Sequence, residues 1–195
     1  MTSGVNKLKN QVNLNKTLQF TKSSYAYKDP YLVNGGLYYK FMNRVKSFVS
    51  IRNIENEFVD FKSYHLDSQF REINQSVYKA YAKSDKVNMQ RSLSEAMFAH
   101  ATALRNEKRP NPFLKKINRL TILQSRLYAE NDHLLPEEQW AQITVLLKGL
   151  DYRGENQKLY TVFERRAADK LDYFDWKLSF MAEEEDFKLM NDTKI

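Results

Sequence analysis

The sequence predicts an α+β domain in which helices come first and cover one face of a twisted antiparallel sheet of about four strands. Three observations carry that prediction. From Leu37 to Leu104 apolar residues recur at three- and four-residue spacing, the period of amphipathic helices. "KRPNPF", Lys108 to Phe113, then places two prolines where helix cannot continue. Beyond it the period becomes two, as in strands that bury one face.

Ahead of that domain lies an extended basic arm, residues 1–36. Residues 1–49 hold eight Lys/Arg and one acid, so the 146 that follow carry 23 of each sign and are electrically balanced. The net charge of +7 is therefore a property of the amino-terminal part. Before the first acid, Asp29, the cations Lys7, Lys9, Lys16, Lys22 and Lys28 alternate with Ser, Thr and Asn. Such an arm can bind phosphates or an anionic lipid surface without the folded domain reading nucleic acid. Its acid-poor, hydroxyl-rich start also fits a mitochondrial targeting segment, although such segments favour Arg and none precedes Arg44. No stretch approaches the roughly 20 apolar residues needed to span a bilayer, so the chain is expected to lie against a membrane at most.

Pro30 and the pair Gly35-Gly36 punctuate the arm. The first helix is expected from Leu37 to Arg52, with Leu37, Phe41, Val45 and Phe48 on one stripe and Lys40, Arg44, Lys46 and Arg52 around it. Docking of that stripe on the domain's own core is the favoured reading; a membrane surface or a partner's groove is the alternative. Residues 37–64 then form an amphipathic helix and linker, and 65–182 the α+β domain. A second helix is expected from about Asp67 to Ser84, striped by Phe70, Ile73, Val77 and Tyr81 and capped by Asp67 or Ser68. A short helical turn follows Asp85. Ser92 and Glu95 stand at capping-box spacing before Leu93, Met97, Ala101 and Leu104. Strands are expected at Arg119 to Glu130, Gln139 to Tyr152, Lys158 to Arg166 and Asp175 to Met181. The short connection "RGEN" makes consecutive antiparallel pairing the economical arrangement. Residues 183–195 are an acidic, then mixed, tail.

Catalytic chemistry finds little foothold. No cysteine removes disulfides, thiolate nucleophiles and cysteine-ligated metal sites. His65, His100 and His133 lie far apart without metal-ligand spacing. No glycine-rich phosphate loop, nucleophile elbow or dinucleotide fingerprint is present, so no cofactor is expected. On the third strand Leu159, Thr161, Phe163 and Arg165 should face one way and Tyr160, Val162, Glu164 and Arg166 the other. As a catalytic acid Glu164 would need desolvation and a proton-transfer partner. Arg165 and Arg166 would instead keep it ionised, so an exposed cross-strand ion pair is the expectation. No zinc finger, aromatic RNA-binding strand or GXXG loop is present either. What remains is basic surface. Besides the arm and first helix, Arg105, Lys108, Arg109, Lys115, Lys116 and Arg119 fall within fifteen residues and could contact ribosomal RNA phosphates or acidic partners, positioning rather than specifying.

Several short motifs carry a resemblance. Gln142, Thr144 and Val145 lie in "QITV"; Tyr160, Val162, Phe163, Glu164 and Arg165 in "YTVFER"; Trp176 and Lys177 open the last strand; Ala82, Asp85, Leu93, Ser94 and Met97 punctuate the helices. Over about residues 65–181 this order resembles the mitochondrial family of translocase-subunit-forty-four-like domains, which includes mitoribosomal large-subunit protein forty-five and the inner-membrane mitoribosome receptor. The link "DYRGEN" is shorter than the excursion the family often has. The resemblance implies a cone-like domain similar to nuclear transport factor two, with helices in the concave face of a curved sheet. It also implies a non-catalytic adaptor in the mitochondrial matrix, peripheral to the inner membrane and held among subunits of a large complex. A mitoribosomal large-subunit protein is the first expectation. An accessory subunit of a respiratory-chain or ATP synthase complex is the second. Cone folds also host isomerases and dehydratases, and His100 with Tyr128 or Asp85 would be the first pair to inspect. A cone filled by Trp140, Phe163, Trp176 and Phe180 would leave no room for that chemistry.

Overall fold

The computed structural model describes residues 36–57, 61–128, 140–166, 176–184 and 186. Helix α1 is Leu37–Glu57. A 3-10 turn, Ser63–His65, leads into α2, Leu66–Lys83, followed by α3, Lys86–Ser92, and α4, Glu95–Asn106. Then come β1, Lys116–Tyr128, β2, Trp140–Leu150, β3, Asn156–Arg166, and β4, Lys177–Glu183. The strands pair consecutively and antiparallel in the order β1-β2-β3-β4. The chain is thus α+β, helices first and sheet second.

Helix α2 is the element around which the core forms. Its buried residues Leu66, Phe70, Asn74, Val77 and Tyr81 follow at three- and four-residue intervals, so they line one face. Phe70 stacks on Phe163 of β3 at 4.0 Å between centroids and meets Trp176 edge-on at 5.4 Å. Each such side chain contributes about 1.5–3 kcal/mol of transfer free energy on burial. The polar members of the stripe hold the proline-broken loop against the helix. Asn74 donates to the Leu114 carbonyl at 2.8 Å, and the Tyr81 hydroxyl to that of Arg109 at 3.2 Å. Burial pushes the Tyr81 hydroxyl pKa up, against a smaller opposing effect of Arg105, so it stays a proton donor.

The sheet has two distinct faces. Ala141, Ile143, Val145 and Leu147 of β2 share the helix-facing side with Leu159, Thr161 and Phe163 of β3. Gln142, Thr144, Leu146 and Lys148 share the other with Tyr160, Val162 and Glu164. Register shifts fall between Ile117 and Arg119, between Ile122 and Gln124, and between Val162 and Phe163. Bulges of this kind bend a strand and increase its twist. Gly149 lies opposite the first, where a Cβ would meet the Lys116 carbonyl oxygen at 2.0 Å; only glycine lets the strands approach there.

Several local expectations need correction. The second helix is not capped by Asp67 or Ser68: its N-cap is His65, without a side-chain cap, and Asp67 instead pairs with Arg71 at 2.6 Å. Ser92 ends α3, and the cap of α4 is Ser94, whose hydroxyl accepts from the Met97 N–H at 3.3 Å. The reason is tertiary. Leu93 is drawn into an extended bridge with Leu178, and Ser94 N–H donates to the Leu178 carbonyl at 3.0 Å, so helix cannot run through them. Strand β1 begins three residues and β3 two residues earlier than expected, β3 ending at Arg166 as expected; β4 begins at Lys177 and runs two residues past Met181, and β2 ends at Leu150, before the turn at Asp151 to Glu155. The expected strand ends Ala129, Glu130, Gln139 and Asp175 lie outside the described residues, as do the arm and most of the tail.

Candidate interaction surfaces

The first helix overturns the expectation that its apolar stripe docks on the core. Leu37 is 87% exposed, Phe41 64% and Phe48 61%, with Tyr38, Val45 and Val49 exposed beside them. The docked face carries Asn43, Ser47 and Ile54 instead. At about 100° per residue the two faces are centred roughly opposite one another on the helix. The physical cause is the sheet edge. Among the described residues β1 pairs only with β2, so part of its backbone meets no strand there. Asn43 donates to the Leu123 carbonyl at 2.8 Å, and the Ser47 hydroxyl accepts from the Ser125 N–H at 3.2 Å. Arg126, buried, ties both together by donating to Asn43 Oδ1 at 2.9 Å and Ser47 Oγ at 3.1 Å. A polar helix face is what an unpaired strand edge requires.

This arrangement turns the apolar face outward. Lys40 and Arg44 flank it on one side and Lys46 on the other, all exposed, and the Arg52 guanidinium lies over the Phe48 ring at 5.0 Å. No acid occurs in α1 before Glu55. The surface is therefore apolar, cationic along its margins and fixed to the domain by buried hydrogen bonds.

The second basic cluster is dispersed around the α4–β1 junction. Arg105 is half-buried in the last turn of α4, and Lys108 follows at a positive φ of 56°. Arg109 pairs with Glu107 at 3.4 Å in an exposed contact, which contributes about 1 kcal/mol or less. Lys115, Lys116 and Arg119 are exposed at the start of β1. Register brings Arg119 directly opposite Lys148, and Lys148 directly opposite Lys158. Like charges facing across strands oppose pairing by about 0.2–1 kcal/mol per pair, so this end of the sheet suits an anionic surface. Of the three, Lys158 meets a carboxylate, Glu184, at 3.3 Å. Periodicity did not single out Lys148 and Lys158. The "DYRGEN" hairpin could have, since it sets the register that aligns them. Lys7, Lys9, Lys16, Lys22 and Lys28 lie outside the described residues.

A cleft of about 340 Å³ opens where three elements meet. Gln69, Glu72, Ile73 and Ser76 of α2 form one wall. Arg91 and Ser92 of α3 form another, and Arg165 with Trp176 closes the base of the hairpin. Arg165 is only 8% exposed, whereas Arg91 is exposed and makes no ion pair among the described residues. Trp176 is buried, and its indole N–H meets no acceptor among the described residues.

Glu164 is not the exposed charge expected of it. It is 5% exposed and accepts a hydrogen bond from Gln142 Nε2, its neighbour in register. Alternation along β3 puts Arg165 on the side of the cleft and Glu164 on the other, so the adjacent charges "ER" serve different environments. His100 is half-buried on α4, where desolvation lowers its pKa against a weaker opposing effect of Glu107. Asp85 is committed to capping α3 by accepting from Asn88, whose hydrogen bonds hold its carboxyl below the usual range. Tyr128 ends β1, and its side chain and His133 lie outside the description. Among the described residues no cluster of three or more His, Asp or Glu could hold a metal, and no helix is long and apolar enough to cross a membrane. No protein-family model matches the chain, and comparison with curated proteins finds no match.

Proposed function

We propose that this chain is a non-catalytic structural subunit of a large mitochondrial assembly, peripheral to the matrix face of the inner membrane, with the mitoribosomal large subunit as the leading assignment. The observation that carries the reading is the outward apolar face of α1 between cationic margins, a composition suited to an anionic bilayer surface. The Arg119–Lys148–Lys158 row supports contact with phosphate, as ribosomal RNA would offer. A sheet bent by bulges, with α2 packed on one face, supports the cone-like geometry that the resemblance implies. Of the four residues expected to fill the cone, Phe163 and Trp176 occupy the space between sheet and α2, whereas Phe180, opposite Val162, and Trp140, which alternates with Ala141, belong to the other face of the sheet. This packing favours an adaptor over an isomerase of the same fold.

A second reading, an accessory subunit of a respiratory-chain or ATP synthase complex, draws on the charge balance of residues 50–195. Native purification distinguishes the two. Ribosomal RNA and ribosomal proteins should co-purify with the chain after gentle lysis, and recovery of respiratory or ATP synthase subunits without RNA would replace the first reading by the second. Flotation with cardiolipin-containing phosphatidylcholine vesicles tests the membrane contact. The F41S/F48S double variant should lose flotation while keeping its unfolding midpoint, since both side chains are already exposed. Equal flotation of both proteins would remove α1 as the membrane contact.

A further inference from the structure

We propose that at an anionic bilayer the domain stands on the β1 edge of its sheet, with α1 beneath it and β4 farthest from the lipid. This orientation rests on the membrane contact proposed for α1 and extends it to the rest of the molecule. Two hydrogen bonds fix the geometry. Asn43 donates to the Leu123 carbonyl; Ser47, four residues on, accepts from the Ser125 N–H, two residues on. Four helical residues rise about 6 Å and two strand residues about 6–7 Å, so α1 runs alongside β1 in the same direction. Both bonds are made to the β1 backbone, whose hydrogen-bonding groups point within the plane of the sheet. The helix is therefore seated on the edge of the sheet rather than on either face.

The outward residues Leu37, Phe41, Val45 and Phe48 lie roughly opposite Asn43 and Ser47 on the helix. A bilayer beneath them has α1 and β1 parallel to its surface, and the sheet rises from it strand by strand in the order β1-β2-β3-β4. The cationic row Arg119–Lys148–Lys158 then runs along the membrane normal. A helix about 10 Å across separates β1 from the lipid, and each further strand adds about 4.8 Å. Arg119 stands about 10 Å above the surface, Lys148 about 15 Å and Lys158 about 20 Å. Screening acts over about 8 Å at physiological salt, so Arg119 feels the lipid charge and Lys158 is largely shielded from it. The far end of the row and the β4 edge thus face the assembly while α1 faces the bilayer.

The chain has no cysteine, so one introduced thiol carries one label. Asn118 on β1 and Glu183 on β4 are exposed and lie at the same end of the sheet, three strand spacings apart. Full-length Asn118→Cys and Glu183→Cys proteins, each carrying a fluorescent donor, are bound to cardiolipin-containing phosphatidylcholine vesicles doped with rhodamine-labelled lipid. Energy transfer should place the Asn118 label nearer the lipid than the Glu183 label by about 14 Å. Adding F41S/F48S should abolish transfer from both sites. Unfolding midpoints matching the parent show that labelling leaves the fold intact. Equal distances with flotation intact, or a nearer Glu183 label, would overturn the edge-on orientation alone, because a face of the sheet or the basic arm would then meet the bilayer. Failure of the parent protein to float would remove the membrane reading and the orientation with it.

Discussion

At the residue scale, neighbours in sequence become members of different environments. Glu164 and Arg165 are an adjacent anion and cation on paper, yet strand alternation sends Arg165 to the cleft and Glu164 to a cross-strand hydrogen bond with Gln142. The alternation itself is legible from period two. Burial of both groups is not, because it depends on what packs over each face. His100 makes a prediction at this scale. Its folded-state pKa lies below the ordinary value of 6.5, so as pH falls through 6.5 the unfolded chain takes up the proton first. Stability associated with His100 is therefore present above that value and declines below it. Urea midpoints at about pH 7.5 and about pH 5.5 should differ more in the parent than in His100→Gln. An identical difference in both proteins would assign the acid sensitivity elsewhere.

At the scale of elements, α1 shows how an amphipathic pattern can be read correctly and docked wrongly. The stripe Leu37, Phe41, Val45, Phe48 does mark one face of a helix, but β1 needs hydrogen-bonding partners along its unpaired edge more than it needs apolar cover. Asn43 and Ser47 supply them. The double variant N43A/S47A should lose about 2–4 kcal/mol of stability, since a buried strand edge and the Arg126 guanidinium lose their partners. Amide exchange at Ser125 should accelerate selectively. Retained protection at Ser125 would mean that apolar contacts such as Ile54, rather than these hydrogen bonds, hold the helix. The displaced cap of α4 follows the same logic: Ser92 has the better sequence pattern, and the bridge of Leu93 to Leu178 decides for Ser94.

At the scale of the whole molecule, the cations separate into surfaces of different character. Those of α1 border an apolar face; those at the start of β1 join Lys148 and Lys158 in a row across three strands. If the row meets RNA, R119Q/K148Q should weaken association and reduce the slope of log K against log salt by about one to two. Filter binding to ribosomal RNA fragments over a salt series measures it. An unchanged slope would move the contact to other cations of the chain.

By itself the sequence determined the α+β class, the helix-before-sheet order, the consecutive antiparallel pairing and the phase of the buried stripe of α2. These follow from local periodicity and from prolines, which act through each residue's own backbone. Tertiary structure alone decided which face of α1 turns outward, that Arg119, Lys148 and Lys158 align, and that Arg91 and Arg165 share a cleft, 74 residues apart in the chain. Each of those depends on strand register, on an unpaired backbone edge or on how the helices pack against the sheet. Such long-range constraints are settled only when the elements meet.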